Sequence, residues 1–390
     1  MRYPVTIAIV GLAALSGCLD GTNPFMVDSP DGTGSEQLDE NDPNTDVNNQ
    51  FLYDPDRGLT MNAVQYDAAN DELVINNLPF DGPDGRYDNI AGTTSTDANG
   101  ITSGVYESRQ TATTGLVKHY AVFVRGDYLE ATAANSRDWF GFGYGGANIN
   151  RSDFGLPSGI GEYVYRGVYG GARTFDNGGG IELTAGDATL ILDVLDFDPI
   201  EGIQGAIAGD ITNHVALAED GTTVVDNLPD VILAVVSFST DQGVFDGGEA
   251  TTALPVSGGV ADTGSYEGIF GGPDGEEIGG YTVLEGPGNV QVTTVETIQW
   301  TYTFEQDIIV GGVVVGTQTI TQTGTTSGFD SIPASELQEV TNAGGDIPAF
   351  IGAPTSGIPA GADTVSTTQT FEFLSDYQAR EVGVFVTTQQ

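Results

Sequence analysis

The sequence has very little cysteine and histidine. One cysteine, Cys18, and two histidines, His119 and His214, occur in 390 residues. A single cysteine excludes any disulfide within the chain, so burial of apolar surface must stabilise the fold. Because there is no Cys/His cluster and no H-x-x-x-H spacing, we expect no zinc site, no other metal site and no cofactor. His119 falls in an alternating apolar stretch, and we expect a structural role for it.

Basic residues are also scarce. The chain has 11 Lys and Arg against 55 Asp and Glu, a net charge of −44, and no Lys or Arg between residues 174 and 379. Such a surface repels nucleic acid and anionic lipid head groups, so we do not expect either as a partner. A cationic partner or a saline habitat would each account for the acidity, and we favour the habitat because salt screens the self-repulsion of the surface.

No apolar run is long enough to cross a bilayer as a helix. A shorter run, 5–15, follows Arg2 and ends in Leu15-Ser16-Gly17-Cys18. This pattern is typical of a bacterial lipoprotein signal that is cut before Cys18, which is then lipidated. An ordinary secretory signal with a chance cysteine is the alternative. We therefore predict a signal peptide at 1–17 and a membrane anchor at Cys18. Lipoproteins that stay in the inner membrane commonly have Asp after the lipidated cysteine, whereas Leu19 follows Cys18 here. We therefore expect the anchor in the outer membrane, facing either the cell surface or the periplasm.

Residues 18–50 are predicted to be a disordered acidic tether. From residue 19 onward they contain eight Asp or Glu and no Lys or Arg. Such a composition cannot bury enough apolar area to offset the entropy of the chain.

The rest of the chain lacks the apolar period of helices, except at 335–341, where Ser335 is placed to cap a short helix. Short apolar and aromatic runs recur instead, separated by glycine-rich turns, which predicts an all-β sandwich or barrel. Alternation of aromatic residues with glycine favours the barrel. The predicted regions are an N-terminal β hairpin or handle at 51–114, a β-barrel at 115–286 and a C-terminal β-rich extension at 287–390. The runs that predict strands lie at 59–66, 72–78, 115–125, 138–144, 162–169, 180–184, 188–197, 204–211, 230–239, 266–270, 278–284, 290–310, 313–323, 364–373 and 381–388.

A glycine-rich hairpin at 264–284 carries the most specific pattern. Its run Tyr266-Glu-Gly-Ile-Phe-Gly-Gly272 is echoed by Tyr165-Arg-Gly-Val-Tyr-Gly-Gly171, as in two halves of one barrel that turn similar corners. The hairpin resembles the G-x-F-x-G…A-x-E-x-G-G signature of transferrin-binding-protein-B-like barrel lipoproteins. The positions that carry the resemblance are Gly268, Phe270, Gly271, Glu277, Gly279 and Gly280.

The resemblance implies an eight-stranded antiparallel up-and-down barrel beside a smaller β handle, displayed on an outer membrane. It covers about 120–285. Asp274-Gly275-Glu276 replaces the usual small residue, only one signature is present, and about 105 residues follow the hairpin. Transferrin binding is therefore not carried over to this chain.

Two patterns in the sequence bear on function. Asp262-Thr263-Gly264-Ser265 matches the D-T-G-S motif of aspartic proteases, in which two carboxylates share a proton, but the mature chain has no second D-[ST]-G. We interpret it as a turn before a strand. The aromatic residues Trp139, Phe142, Tyr144 and Tyr165 could line a ligand cavity in the barrel, although a filled core is the more usual use of such residues.

We therefore expect a lipid-anchored binding or surface-display protein, not an enzyme, with a protein or small molecule as its ligand. The alternatives are an aspartic-protease-like enzyme that uses Asp262 and a structural cell-surface protein without a small ligand.

Overall fold

The structure is a computed structural model that describes residues 48–390 except 82–84, 110–116, 138–139, 199–201, 241, 343–345 and 355. The predicted signal peptide, Cys18, Trp139 and most of the tether lie outside the described residues. The chain forms two compact units. Of the described residues, the first contains those up to Ala250 with Gly264–Leu284 and Arg380–Gln390, and the second contains those of Thr251–Thr263 and Glu285–Ala379.

A nine-stranded antiparallel sheet comes first. Its strands are β1 (Asn49–Phe51), β2 (Ala63–Asp67), β3 (Glu72–Asn76), β4 (Arg86–Asn89), β5 (Ser95–Thr96), β6 (Thr102–Ser108), β7 (His119–Arg125), β8 (Leu129–Ser136) and β9 (Gly145–Arg151). The order is β1-β9-β8-β7-β6-β4-β3-β2, with β5 beside β6. The sheet is nearly closed, since the side-chain amides of Asn148 and Asn150 on β9 donate to the carbonyls of Asn62 and Val64, each at 3.3 Å.

The next strands build most of a barrel. They are β10 (Gly161–Phe175), β11 (Ile181–Asp198), β12 (Gly202–Leu217), β13 (Val224–Asn227), β14 (Val231–Ser239), β15 (Val244–Ala253), β16 (Val260–Gly271) and β17 (Glu277–Pro287). The short β13 is the exception, since it pairs with β12 alone. A third sheet follows, with β18 (Val290–Val310), β19 (Val313–Ser327), β20 (Phe350–Ile351) and β21 (Asp363–Leu374), and helix α1 (Ala334–Asn342) lies between β19 and β20.

The last strand, β22 (Gln378–Gln389), closes the barrel. It lies between β10 and β17, and β11 pairs with both β10 and β12, so β10, β11, β12, β14, β15, β16, β17 and β22 form a closed ring. The predicted fold class is confirmed: the protein is all-β, with an eight-stranded antiparallel up-and-down barrel, a β region before it and further C-terminal strands.

Period-two alternation gives the barrel wall two apolar faces. On β16, Tyr266 and Phe270 belong to the core inside the barrel, whereas Ile269 belongs to a second core formed with strands of the first sheet. On β22, Phe385 points inward and Val384 and Val386 point to that second core. A third core belongs to the first sheet and is built from residues on or beside β3, β4, β6, β7 and β8. The barrel is therefore packed inside and covered on part of its outside.

Several predicted boundaries differ from the structure. The predicted barrel range of 115–286 contains β7, β8 and β9, which belong to the first sheet, and it omits β22. The predicted strands 180–184 and 188–197 are one strand, β11, with a register shift between Ala185 and Asp187. The described part of 138–144 is a turn before β9, because its glycines take positive φ at Gly141 and Gly143. Helix α1 begins at Ala334, so Ser335 lies inside it and does not cap it.

Candidate functional site

The inside of the barrel is apolar over most of its length. Tyr165 is fully buried there, and its hydroxyl donates to the carbonyl of Gly275 at 2.7 Å. Phe270 packs on Phe238 and Phe245, with ring centroids 5.1 and 6.2 Å apart. This end of the interior is a filled core.

The remaining interior holds a buried polar cluster centred on Glu381. Three groups donate to its Oε1 atom: the Tyr169 hydroxyl at 2.5 Å, the Thr184 hydroxyl at 2.9 Å and His214 Nε2 at 3.0 Å. The hydroxyls of Tyr169 and Thr282 lie 3.1 Å apart and extend the network to β17. The cluster thus joins β10, β11, β12, β17 and β22.

His214 is held as a charged imidazolium. Its Nδ1 lies 2.9 Å from the carbonyl oxygen of Pro229, and its Nε2 faces the Glu381 carboxylate. Both oxygens accept, so both ring nitrogens carry protons. Burial alone would lower the pKa of His214, but the Glu381 charge and these hydrogen bonds outweigh it and raise that pKa. Burial likewise opposes the charge on Glu381, yet His214 and the hydroxyl donors lower the pKa of Glu381 to about 2.

A second ion pair adjoins the first along β10 and β11. Arg173 Nη1 lies 2.9 Å from Glu182 Oε2, and the two side chains are 10% and 26% exposed. Burial raises the pKa of Glu182, partly offset by Arg173, and the charge of Glu381 adds to the rise. Although the chain has few basic side chains, Arg173 and His214 both lie near Glu381 in the barrel.

Sequence reasoning missed this cluster. His214, Arg173 and Glu381 are far apart in the chain and match no motif. The signal that could have revealed Glu381 is its position in the alternation of β22. Glu381 alternates in step with Gly383 and Phe385 on an apolar strand, which places a carboxylate at an inward position.

Glu277, a residue of the sequence signature, connects the barrel to the first sheet. Its carboxylate accepts from the backbone N–H groups of Asp127 at 2.6 Å, Tyr128 at 3.0 Å and Leu129 at 2.9 Å. Burial raises the pKa of Glu277, and these three donors partly offset the rise. Glu277 therefore binds the turn between β7 and β8 in the manner of a cap.

The glycines of the signature allow close approach of backbone and rings. A Cβ on Gly268 would overlap the carbonyl oxygen of Gly279 and the ring of Phe245. A Cβ on Gly280 would overlap the ring of Phe385, and one on Gly271 would lie 2.6 Å from Leu129 Cγ. Gly279 is less crowded, with Leu129 Cδ1 at 3.1 Å. The signature is thus a set of packing positions, with Phe270 in the core.

A pocket lies between the outer wall of the barrel and the first sheet. Its volume is about 390 Å³, and strands β5, β6 and β7 face β10, β11 and β12 across it. Six buried or half-buried lining residues are aliphatic: Val105, Val122, Val168, Leu183, Val215 and Leu217. Six half-buried or exposed lining residues are polar: Thr93, Ser95, Asp97, Ser103, Asp187 and Asn213.

The pocket forms where β11 and β12 are irregular. Asn213 takes a positive φ of 51° beside the register shift at Ala185 and Asp187, and its side-chain amide donates to Asp187 Oδ2 at 2.7 Å. Bulges of this kind open a strand pair and redirect side chains. Tyr169 and Thr184 line the pocket and also bind Glu381, so the pocket and the polar cluster share the same wall.

The aromatic residues predicted to line one cavity lie in different places. Phe142 and Tyr144 belong to the turn before β9, where Phe142 packs under the guanidinium of Arg380 at 4.9 Å and Tyr144 lies near Phe80. Tyr165 lies inside the barrel. The structure does not bring these three side chains together at a cavity, because the strand predicted to carry Phe142 and Tyr144 is a turn of the first sheet.

Asp262 lies within β16, not in a turn before it. Its carboxylate accepts from the hydroxyl of Thr252 on β15, and that hydroxyl accepts from the N–H of Asp262 at 2.9 Å. This pair of bonds links two neighbouring strands. The turn interpretation of the D-T-G-S motif is therefore wrong, since the extended chain continues through it.

His119 is buried at the start of β7, beside the hydroxyl of Ser108, which accepts from its backbone N–H at 3.0 Å. Burial lowers its pKa to about 4. Within the described ranges, no three His, Cys, Asp or Glu side chains are grouped as a metal site. No helix in the described part of the chain is both long and apolar enough to cross a membrane.

Comparison with protein-family models and with curated proteins finds no match for this chain.

Proposed function

We propose that this chain is a lipid-anchored outer-membrane protein that binds a small ligand in the pocket between the barrel wall and the first sheet. The pocket, of about 390 Å³, carries the proposal. Its size and its aliphatic lining with a few polar groups are typical of small-molecule sites. The resemblance to barrel lipoproteins and the lipoprotein-type signal ending at Cys18 support the anchor.

The lining indicates the chemical class of the ligand. Asp97 and Asp187 line the pocket, and neither forms an ion pair with another described side chain. Asp97 accepts hydrogen bonds from Asn99 and Ile101, and Asp187 accepts one from Asn213. The same pocket is lined by valines and leucines. A small organic cation with an apolar body matches both features, because its ammonium group reaches the carboxylates while its body displaces water from the aliphatic lining.

Calorimetry with hexylamine, tyramine and the uncharged hexanol tests the site. Ser103→Trp, which fills the pocket from β6, should abolish binding of both amines. Asp187→Asn should weaken amine binding about tenfold and leave hexanol unchanged, since only the charged hydrogen bond is lost. Glu162→Gln, an exposed carboxylate on β10 away from the pocket, is the matched control. Amine binding that survives Ser103→Trp would contradict the proposed site.

The anchor is tested separately. Wild-type protein should incorporate radiolabelled palmitate and sediment with outer membranes, whereas Cys18→Ala should do neither. Protease treatment of intact cells then distinguishes the cell surface from the periplasmic face. Soluble wild-type protein without label would overturn the anchor and leave the pocket untouched.

A further inference from the structure

The outer half of the β18–β19 hairpin is a ribbon with an open edge. β18 pairs with β19 as far as Val310 and Val313, but it pairs with β21 only over residues 290–301. β19 is the last strand of its sheet, and no strand in the described part of the chain pairs with its outer edge. A two-stranded ribbon of this kind is only marginally stable by itself.

The tip of the ribbon is apolar and exposed. Ile309, Val310 and Val313 are each 63% exposed on either side of the turn at Gly311 and Gly312. Ile308, Val314 and Val315 extend the same surface. A contiguous exposed aliphatic patch marks an interaction site.

Apart from a bulge near the tip, where Val315 is the extra residue of β19 in its pairing with β18, the open edge lacks the usual protection against pairing. Residues 308–329 contain no charged side chain, the longest such run in a chain of net charge −44, and β19 contains no proline. Edge strands of soluble proteins normally carry charges, prolines or bulges that prevent association. β19 is therefore built as an edge that accepts another strand.

We propose that β19 pairs antiparallel with β19 of a second copy of this chain, forming a two-fold dimer. Two molecules with this charge repel each other over most of their surfaces, and β19 is a place where they can meet without opposed carboxylates. A basic protein would bind to strands that carry carboxylates, and β19 carries none, so a basic partner is not expected here. A bilayer is disfavoured because Glu305 and Asp307 lie just below the tip and the ribbon has no Lys or Arg.

The two-fold symmetry sets the register. Centred on Ile320, the pairing places Gly316 opposite Gly324 of the partner subunit and Thr317 opposite Thr323 of the partner subunit, and the bulge at Val315 shifts the register closer to the tip. The aliphatic tip of each ribbon then lies along the threonine-rich base of the other. The interface is isologous and closes after two copies, as in most homodimers.

Cysteine scanning tests this register. The full chain with Cys18→Ser has no other thiol. Single cysteines at Val313, Thr317, Thr319, Ile320 and Thr323 should form disulfide-linked dimers with a maximum at Ile320, since only a residue at the two-fold axis meets its own copy within disulfide range. Random collision would instead favour the exposed tip at Val313, and that result would overturn the proposal.

Charge substitution provides an independent test by sedimentation equilibrium. Thr319→Asp and Thr319→Lys should each raise the dimer dissociation constant at least tenfold, and an equimolar mixture of the two should restore dimers. Dimerisation of wild type should strengthen with NaCl, because salt screens the repulsion between the acidic bodies. A monomer in 0.5 M NaCl at 100 µM protein would overturn the proposal.

Two controls exclude other occupants. Thr367 lies on β21, the strand on the other side of β18, and the Thr367→Cys variant should not form disulfide-linked dimers. Cross-linking there in place of β19 would overturn the assignment. Binding to phosphatidylcholine vesicles that is lost in Val314→Asp, with the wild type monomeric in solution, would assign the tip to a membrane and would also overturn it.

Discussion

At the scale of single residues, the Glu381 cluster shows how the barrel accommodates buried charge. Its carboxylate receives three donors, and His214 is held charged between two acceptors. A buried pair of this kind adds little net stability relative to apolar residues, but removing one partner leaves an uncompensated charge. The cost of a substitution therefore depends on whether the other partner stays charged.

We expect Glu381→Gln to lower the free energy of unfolding by about 3–5 kcal/mol at pH 7, because His214 then loses its buried counter-charge. Urea denaturation followed by tryptophan fluorescence measures the change. Glu182→Gln, at the more exposed Arg173 pair, is the matched comparison and should cost less. Equal costs for the two substitutions would contradict the central role of Glu381.

His119 should make the protein sensitive to acid. Burial lowers its folded-state pKa to about 4, whereas an unfolded histidine titrates near 6.5. The unfolded state therefore binds a proton first as the pH falls, and stability decreases between pH 6.5 and 4 by up to about 3 kcal/mol. The pH dependence of unfolding in His119→Leu should be flatter than wild type over this range. An unchanged slope would show that His119 does not titrate in this way.

Glu381 adds a separate loss at lower pH. Its folded-state pKa is depressed to about 2, so its contribution is present above about pH 4.3 and disappears as the pH falls towards 2. His214 has the opposite sign: its raised pKa contributes below pH 6.5, and this contribution is lost as the pH rises through the folded value. The acid-labile groups His119 and Glu381 thus lose their contributions to stability in different pH ranges, and a pH titration of unfolding can separate them.

At the scale of structural elements, the signature hairpin β16–β17 attaches the barrel to the first sheet. Glu277 receives three backbone N–H groups from the turn between β7 and β8, and a Cβ on Gly126 would overlap its carboxylate. The pattern of glycine and glutamate that predicts a barrel hairpin therefore also encodes a contact with another sheet. Sequence alone does not reveal the turn that it binds.

Glu277→Ala should lower the free energy of unfolding by about 1–3 kcal/mol. The backbone N–H groups of the turn between β7 and β8 would lose their acceptor where the Glu277 side chain is buried. Glu277→Gln retains one acceptor oxygen and should recover part of the loss. Hydrogen exchange at Asp127, Tyr128 and Leu129 should accelerate in the alanine variant. Exchange that stays slow at these three amides would refute the capping role.

The glycines of the hairpin differ in their tolerance of a side chain. Gly268→Val should lower the melting temperature markedly, since its side chain would overlap the backbone of β17 and the ring of Phe245. Gly279→Val should have a smaller effect, because its nearest neighbour is the end of Leu129 at 3.1 Å. Gly316→Ala on the exposed ribbon, whose nearest neighbour is 4.0 Å away, is the control. Equal melting temperatures for Gly268→Val and wild type would contradict the packing role.

At the scale of the whole molecule, charge is the dominant property. A net charge of −44 opposes compaction of the chain, and screening relieves this repulsion. We expect the free energy of unfolding to increase between 0.05 and 1 M NaCl, as measured by urea denaturation. Sucrose at matched osmolarity separates general solvent exclusion from screening. Stability that rises with sucrose but not with NaCl would show that self-repulsion is unimportant.

The sequence alone determined the fold class and much of the strand content. Residues 290–310 predict β18 with the observed bounds, and the echo of Tyr165–Gly171 in Tyr266–Gly272 corresponds to inward aromatic positions on β10 and β16. These features follow from period-two alternation and from glycine geometry, which are local properties of a strand.

Only the tertiary structure decided which strands are neighbours. β22 closes the barrel although about 90 residues separate it from β17, and β7 to β9 join the first sheet. Likewise, Glu381 meets His214 across 167 positions of sequence, and the pocket forms where two sheets face each other. Alternation specifies the face on which a side chain lies, but it carries no information about the strand that pairs beside it. That choice depends on the packing of the whole chain.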